Sequence, residues 1–274
     1  MDLLEQEDKE IHDLFEFIYH RYSYDFRDYA MSSVRRRIGT ALTRFGMHKI
    51  SDLRVAIEKD SEFFLSVLQF LTVPTSEMFR DPPFFKAVRE KIVPILRTYP
   101  SLKIWVVGCS TGEEVYSYAI LLKEENLLDR TTIYATDINP VSLKKAEQGI
   151  FPADRMKEFT QNYQKSGGKE TFANYFSTAY DSALVDKELK KNIVFADHSL
   201  ATDSVFSEMQ FVSCRNVLIY FNKDLQNRAL GLFHESLCRR GILGLGSKET
   251  LKFSNFDTEF SELAKNERIY RRLH

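Results

Sequence analysis

Two short stretches hold the residue types that could bind and use a cofactor. The first is Gly108-Cys109-Ser110-Thr111-Gly112-Glu113-Glu114, which follows the apolar run Ile104–Val107. An α/β fold places a nucleotide-like ligand where a strand turns on glycines into a helix. The second is Asp137, which closes the next apolar run, 132–136. An acidic residue about 20–25 positions after the glycines can hydrogen-bond both ribose hydroxyls. Together they point to a ligand that carries an adenosine. The spacing is Gly-x-x-x-Gly, unlike the Gly-x-Gly-x-x-Gly of dinucleotide binders, and Glu113 and Glu114 open the helix. A pyrophosphate seeks the bare N–H groups and positive end of a helix, and two carboxylates would repel it. A cofactor with an ammonium group and no phosphate is favoured instead, and S-adenosylmethionine has that make-up. Taken alone, the glycines could be a turn and the glutamates a response to the helix dipole. Strand, glycine turn, acidic helix start and distal Asp137 together favour a cofactor site.

These residues need a fold to position them. The chain has 274 residues, 43% of them hydrophobic and 28% charged, an ordinary composition for a globular protein with a substantial core. The net charge of −1 gives no global bias toward nucleic acid or an anionic membrane. No apolar run approaches the ~20 residues of a membrane-spanning helix. The N-terminus, Met-Asp-Leu-Leu-Glu-Gln-Glu-Asp-Lys-Glu, is acidic and polar, which does not suit a signal peptide. Cys109, Cys214 and Cys238 are sparse and odd in number, as expected in a reducing compartment such as the cytoplasm. Without Cys-x-x-Cys or His-x-x-x-His, no metal site is expected.

Residues 9–72 read as helices. Ile11, Leu14, Phe15 and Ile18 recur at helical spacing, as do Val34, Ile38, Leu42 and Phe45, a stripe closed by Gly46. Ser51 is a candidate cap for a third helix, and Phe63, Phe64, Val67, Leu68 and Leu71 mark a fourth. After Pro74, Asp81-Pro82-Pro83 is a candidate helix start with Asp81 as N-cap, and Pro94 is expected to limit that helix. Beyond it the pattern alternates, with strands expected at 103–107, 132–136, 191–196, 210–214 and 242–245. Helices are expected at 113–125, 140–148 and 223–239, the last capped by Asn222 and followed by Gly241. Such alternation predicts an α/β fold with a mostly parallel, Rossmann-like sheet. The polar segment 152–190 interrupts it as a small inserted subdomain. The expected organisation is a small all-helical N-terminal domain, 1–80, and an S-adenosylmethionine-binding α/β domain, 81–274.

Four motifs now form a set: Met78-Phe79-Arg80-Asp81, Gly108-Cys-Ser-Thr-Gly-Glu-Glu114, Ala135-Thr-Asp-Ile-Asn139 and Cys214-Arg-Asn-Val-Leu-Ile-Tyr-Phe221. In order and spacing the chain resembles the CheR family, the chemotaxis-receptor glutamate methyltransferases, over nearly its whole length. The resemblance implies methyl transfer from S-adenosylmethionine to glutamate side chains on the helical cytoplasmic bundle of a methyl-accepting chemoreceptor. It implies that Asp137 holds the ribose, that Glu114 faces the polar groups of the cofactor, and that Gly108, Asn216 and Val217 line it. Ser199 and Leu200 match an Asn-Leu pair of the family on the adenine side, with the first residue altered. The resemblance also implies that Ser76 and Arg80 contact the cofactor: the family's Asn-x-Thr-x-x-x-Arg reads here Pro74-Thr75-Ser76-Glu77-Met78-Phe79-Arg80. Arg80 is intact, Ser76 keeps a hydroxyl, and Pro74 lacks the side-chain amide.

Methylating a carboxylate needs no general base, because a glutamate with a reference pKa of about 4.3 is already ionised at neutral pH. The expected contributors are therefore positioning groups: Arg80 to orient a carboxylate, and Tyr220 to pack over the sulfonium or steer the substrate. In the cluster Arg35-Arg36-Arg37 with Arg44, Arg37 and Arg44 are seven apart and share a helix face. They read either as a solvated surface or as receptor docking. Relatives that use a tether grip a pentapeptide at the receptor C-terminus with the inserted segment. Between Tyr175-Phe176 and Ile193-Val-Phe195 this chain looks a few residues shorter, so a tether-independent enzyme is expected; a monomer is the separate expectation for its assembly. Two other readings compete. Asp81-Pro82-Pro83-Phe84 matches the motif of amino-group methyltransferases acting on nucleic-acid bases, but it opens a helix here and the net charge of the chain is near neutral, so no nucleic-acid partner is expected. A catalytically weak cofactor-binding regulatory module is the second alternative, kept open by Pro74 and Ser199.

Overall fold

The computed structural model describes residues 3–274. Four helices lead the chain: α1 (Leu3–Tyr22), α2 (Met31–Arg44), α3 (Ile50–Lys59) and α4 (Ser61–Thr72). Their apolar stripes meet in one core built on Ile11, Phe15, Ile38, Leu53, Phe64 and Leu68. Helix α3 begins at Ile50 after Lys49, so Ser51 lies inside it rather than capping it. The entry to α4 is capped instead by Asp60, whose side chain accepts the N–H of Glu62 at 2.8 Å.

The next helical stretch runs α5 (Pro82–Ala87), a π-helical turn over Val88–Ile92, and α6 (Val93–Leu96). Pro94 does not stop it. The π turn, in which the Val93 N–H reaches back to the Val88 carbonyl, accommodates a residue that can donate no hydrogen bond of its own. Asp81 precedes α5 in a left-handed conformation with φ 56° and makes no side-chain cap; its carboxylate is used elsewhere.

The main sheet has seven strands in the order β6-β2-β1-β7-β8-β10-β9. They are β1 (Leu102–Val107), β2 (Thr131–Asp137), β6 (Ile193–Asp197), β7 (Met209–Cys214), β8 (Leu237–Leu245), β9 (Phe260–Ala264) and β10 (Ile269–Arg272). The first five are parallel and match the strands expected from sequence; the last two add an antiparallel edge that the apolar pattern did not announce. Between the strands lie α7 (Glu113–Glu124), α8 (Pro140–Gln148) and α11 (Lys223–Ser236), with Asn222 capping α11 through its bond from the Leu225 N–H. Helix α11 ends at Ser236 rather than 239, because Leu237 and Cys238 are already buried strand residues, and Gly241 sits inside β8.

The interrupting segment contains β3 (Ile150–Pro152), α9 (Met156–Lys165), β4 (Phe176–Ala179), β5 (Ser182–Val185) and α10 (Lys187–Lys190). Its strands form a separate antiparallel sheet, β3-β5-β4. It is fastened to the main body by Glu124 at the end of α7, which takes hydrogen bonds from the hydroxyls of Tyr163 and Tyr175. Burial, with Glu124 adding to it, pushes the Tyr163 hydroxyl up to about 12.

Register places the site. Val107 of β1 pairs with Thr136 of β2 and Cys214 of β7, and Cys214 pairs with Leu245 of β8. The strands therefore end level, and Gly108, Asp137, Arg215 and Gly246 emerge in one row at the carboxyl edge. The chain winds from β1 to β2 and β6 on one side, then crosses to β7 and β8 on the other. That reversal opens a crevice at the ends of β1 and β7, where open α/β sheets bind ligands.

Candidate functional site

The crevice is a cavity of about 960 Å³, counting its solvent-open mouth. Ser76, Arg80, Gly108, Glu114, Asp137, Ser199, Leu200, Asn216, Val217 and Tyr220 all line it, as does Arg37. Every cofactor or catalytic position expected from sequence is thus brought together. Pro74 is exposed and outside the lining; Thr75 and Ser76 contribute there instead.

The glycine turn is built for close approach. Gly108 has φ +62°, and a Cβ on it would lie 2.5 Å from Cγ2 of Val217, so no side chain fits between these two walls. Asp137 sits at the end of β2 with one oxygen accepting the Ser110 N–H at 2.8 Å and the other the Asn139 N–H at 2.9 Å. Burial raises its pKa, only partly offset by those backbone donors. Ser110 Oγ is buried and has no partner.

Glu114 does not stand free. It accepts from Ser213 Oγ at 2.7 Å and from Arg215 Nη1 at 3.0 Å. Arg215, which the sequence reading passed over within its own motif, is fully buried beneath the cavity. Besides Glu114 it reaches the Asp81 carboxylate at 2.8 Å and the Arg80 carbonyl at 3.0 Å, and its guanidinium lies 4.1 Å from the Phe84 ring centroid. One buried cation thus ties the first turn of α7 to the segment that carries Arg80. Burial pulls its pKa down, but Glu114, Tyr118 and Asp81 outweigh that, and the net shift is upward. The Asp-Pro-Pro-Phe motif is accounted for here: Asp81 is an ion-pair partner at a helix start, not a loop after a strand.

Arg37 is where expectation and structure part. It lies on the packed stripe of α2 with Val34, Ile38 and Ala41 and is 4% exposed, whereas Arg44, the last residue of the helix, is exposed. The two do not form one docking face. Arg37 instead points into the cavity. Its Nη1 donates to the Leu71 carbonyl and its guanidinium lies 4.0 Å from the Tyr220 ring centroid, while Nε and Nη2 are buried without partners. Burial lowers its pKa. The guanidinium of Arg80 likewise makes no hydrogen bond or ion pair among the described residues.

A second residue that the sequence did not signal is Glu249. Its carboxylate, 4% exposed as a residue, accepts four backbone N–H groups: Gly246 at 2.6 Å, Val217 at 2.8 Å, Asn216 at 3.0 Å and Ile219 at 3.4 Å. It thereby holds the turn after β7, where Asn216 adopts φ 61°. Burial raises its pKa against those four donors. No local pattern in 246–254 announces this, because three of the four partners lie some thirty positions upstream.

A buried carboxylate at the end of β2, an unpartnered hydroxyl, a glycine turn too tight for any side chain and an acidic helix start, set at the switch point of a parallel sheet, suit a phosphate-free adenosine cofactor. They define the class: a methyltransferase that uses S-adenosylmethionine. Two family models place it further. The S-adenosylmethionine-binding domain of CheR methyltransferase matches residues 74–268, and the all-alpha domain of CheR methyltransferase matches residues 9–72. The Pseudomonas putida protein Cher3 is 59% identical over 265 residues, covering 97% of each chain. The chemotaxis protein methyltransferase of Listeria innocua is 28% identical over 229 residues, 83% of this chain and 84% of its own. That of Borreliella burgdorferi is 26% identical over 258 residues, 89% and 88%. This chain belongs to the CheR methyltransferase family; it is an S-adenosylmethionine-dependent methyltransferase of chemotaxis.

Proposed function

We propose that this protein esterifies glutamate side chains on the helical cytoplasmic bundle of a chemoreceptor. The observation that carries this reading is the pair Arg37 and Arg80. Two guanidinium groups enter one cavity without a carboxylate of their own, and Arg37 is buried with two N–H groups unpartnered. A buried guanidinium with orphan donors calls for an anion, and a fork of such donors suits a carboxylate.

When bound, S-adenosylmethionine supplies an electrophilic methyl group on its sulfonium. Asp137 would accept the ribose hydroxyls, Gly108, Leu200 and Val217 would flank the adenosine, and Ser76, Ser199 and Asn216 offer further polar contacts. Glu114, held by Ser213 and Arg215, presents negative charge toward the amino-acid end. Arg37 and Arg80 orient the incoming carboxylate, and Tyr220, stacked under Arg37, fixes that guanidinium and walls the site. Nothing has to remove a proton, so the contribution of the protein is alignment and exclusion of water.

We further propose that docking needs no C-terminal tether. Strands β4 and β5, four residues each, are joined by Tyr180 and Asp181 alone, a connection too short to form a gripping loop. Micromolar binding of receptor C-terminal peptides would contradict this. The ester itself is tested by incubating the protein with radiolabelled S-adenosylmethionine and receptor-bearing membranes of the same organism. The label should be lost on mild base treatment, as a methyl ester is; a base-stable label would mean a methylated amine.

A further inference from the structure

The turn after β7 has two sides. Asn216, Val217 and Tyr220 face the cofactor cavity, while Leu218 and Ile219 between them line a second hollow of about 720 Å³. Its opposite wall is the segment after β8, with Lys248, Lys252 and Phe253, and Lys223 at the start of α11 closes one end. A single thickness of chain therefore separates groove from cavity. Glu249 makes that partition firm, bonding backbone groups on both faces of it.

The chemistry of the groove is distinctive. Lys223, Lys248 and Lys252 are exposed, and none has an ion-pair partner among the described residues. The one carboxylate in the lining, Glu249, is buried and saturated by four N–H groups, so it does not neutralise them. Phe253 is 98% exposed and held at φ 66°, a conformation uncommon for a bulky residue, and Ile219 beside it is 36% exposed. A large apolar ring kept in water at a cost in backbone strain is a feature of recognition sites rather than of folding. Three free cations around two exposed apolar side chains complement an amphipathic helix whose polar face is acidic.

We propose that this groove docks the acidic helical segment of the receptor that bears the modified glutamate, so that the helix lies against Phe253 and the lysines while its glutamate enters the cavity past the partition. This rests on the carboxyl-methylation reading above. The test uses the full-length protein, radiolabelled S-adenosylmethionine and receptor-bearing membranes of the same organism. The double variant Lys248→Glu/Lys252→Glu should lower kcat/KM for the membranes about tenfold or more through KM, with the Kd for S-adenosylmethionine within about twofold of wild type. Phe253→Ala, which alters no charge, should lower kcat/KM about threefold or more. Raising salt should weaken wild-type turnover and affect the double variant less. If both variants keep wild-type kcat/KM, the proposal is overturned. If wild type itself yields no base-labile label, the carboxyl-methylation reading fails, and the groove assignment falls with it.

Discussion

Replacing Asp137 by asparagine isolates the proposed ribose contact. An ionised carboxylate offers about four acceptor sites. In Asp137 two are used by the N–H groups of Ser110 and Asn139, at 2.8 and 2.9 Å, which leaves two for the two ribose hydroxyls. An amide has one acceptor oxygen, so it can keep one backbone N–H and one hydroxyl, while its NH2 faces the other N–H. One hydrogen bond to a charged group is lost, worth about 1.5–3 kcal/mol, so the Kd for S-adenosylmethionine should rise about 10- to 150-fold at neutral pH. Isothermal titration of the purified protein reads this directly. The wild type should also show a pH dependence that the variant lacks. Burial raises the Asp137 pKa in the fold, so the carboxylate protonates at higher pH than an ordinary aspartate, and cofactor affinity falls as pH drops through that raised value. The linked stability runs the other way. It is fully present below the unfolded pKa of about 3.9 and is lost as pH rises through the folded value. A variant Kd within about threefold of wild type, with the same pH profile, would refute the assignment.

Three further perturbations separate the roles of the site. Arg80→Ala should cut turnover on receptor membranes about 100-fold or more while changing cofactor Kd by less than about fivefold, by parallel kinetics and titration; wild-type turnover would defeat its role. Arg37→Ala should lower kcat/KM for receptor about 100-fold with little change in cofactor Kd, whereas Arg44→Glu, on an exposed helix end, should change KM by no more than about threefold; equal effects would restore the common docking face. Glu249→Gln offers an acceptor to two of the four backbone N–H groups and turns a donor toward the rest, so it should loosen the 216–219 turn and raise cofactor Kd about tenfold. Crystallography of that variant with an unchanged turn would remove the reason for the effect.

Much of the cofactor half of this site was legible in the sequence because it is local. The positions of Gly108 and Asp137 at strand ends follow from apolar runs that stop, and level strand ends follow once those runs pair in a parallel sheet. The substrate half was less legible because it is tertiary. Helical spacing shows that Arg37 and Arg44 share an azimuth on α2, but not that the packed stripe faces a cavity, nor that the helix ends just where Arg44 leaves it. Arg215 and Glu249 were missed for a related reason. Each is a lone charged residue whose meaning lies in backbone and side-chain partners far along the chain. The π turn before Pro94 and the antiparallel edge β9–β10 are packing solutions that no short-range pattern encodes.

The central claim is that the acceptor is a glutamate carboxyl on a receptor helix. Mass-spectrometric mapping of receptor peptides after incubation with the protein and S-adenosylmethionine tests it most directly. The account predicts a methyl ester on one or more glutamate side chains within the helical cytoplasmic bundle, absent when Arg80→Ala protein is used. A methyl group on lysine, histidine or a chain terminus, or label confined to nucleic acid, would contradict it.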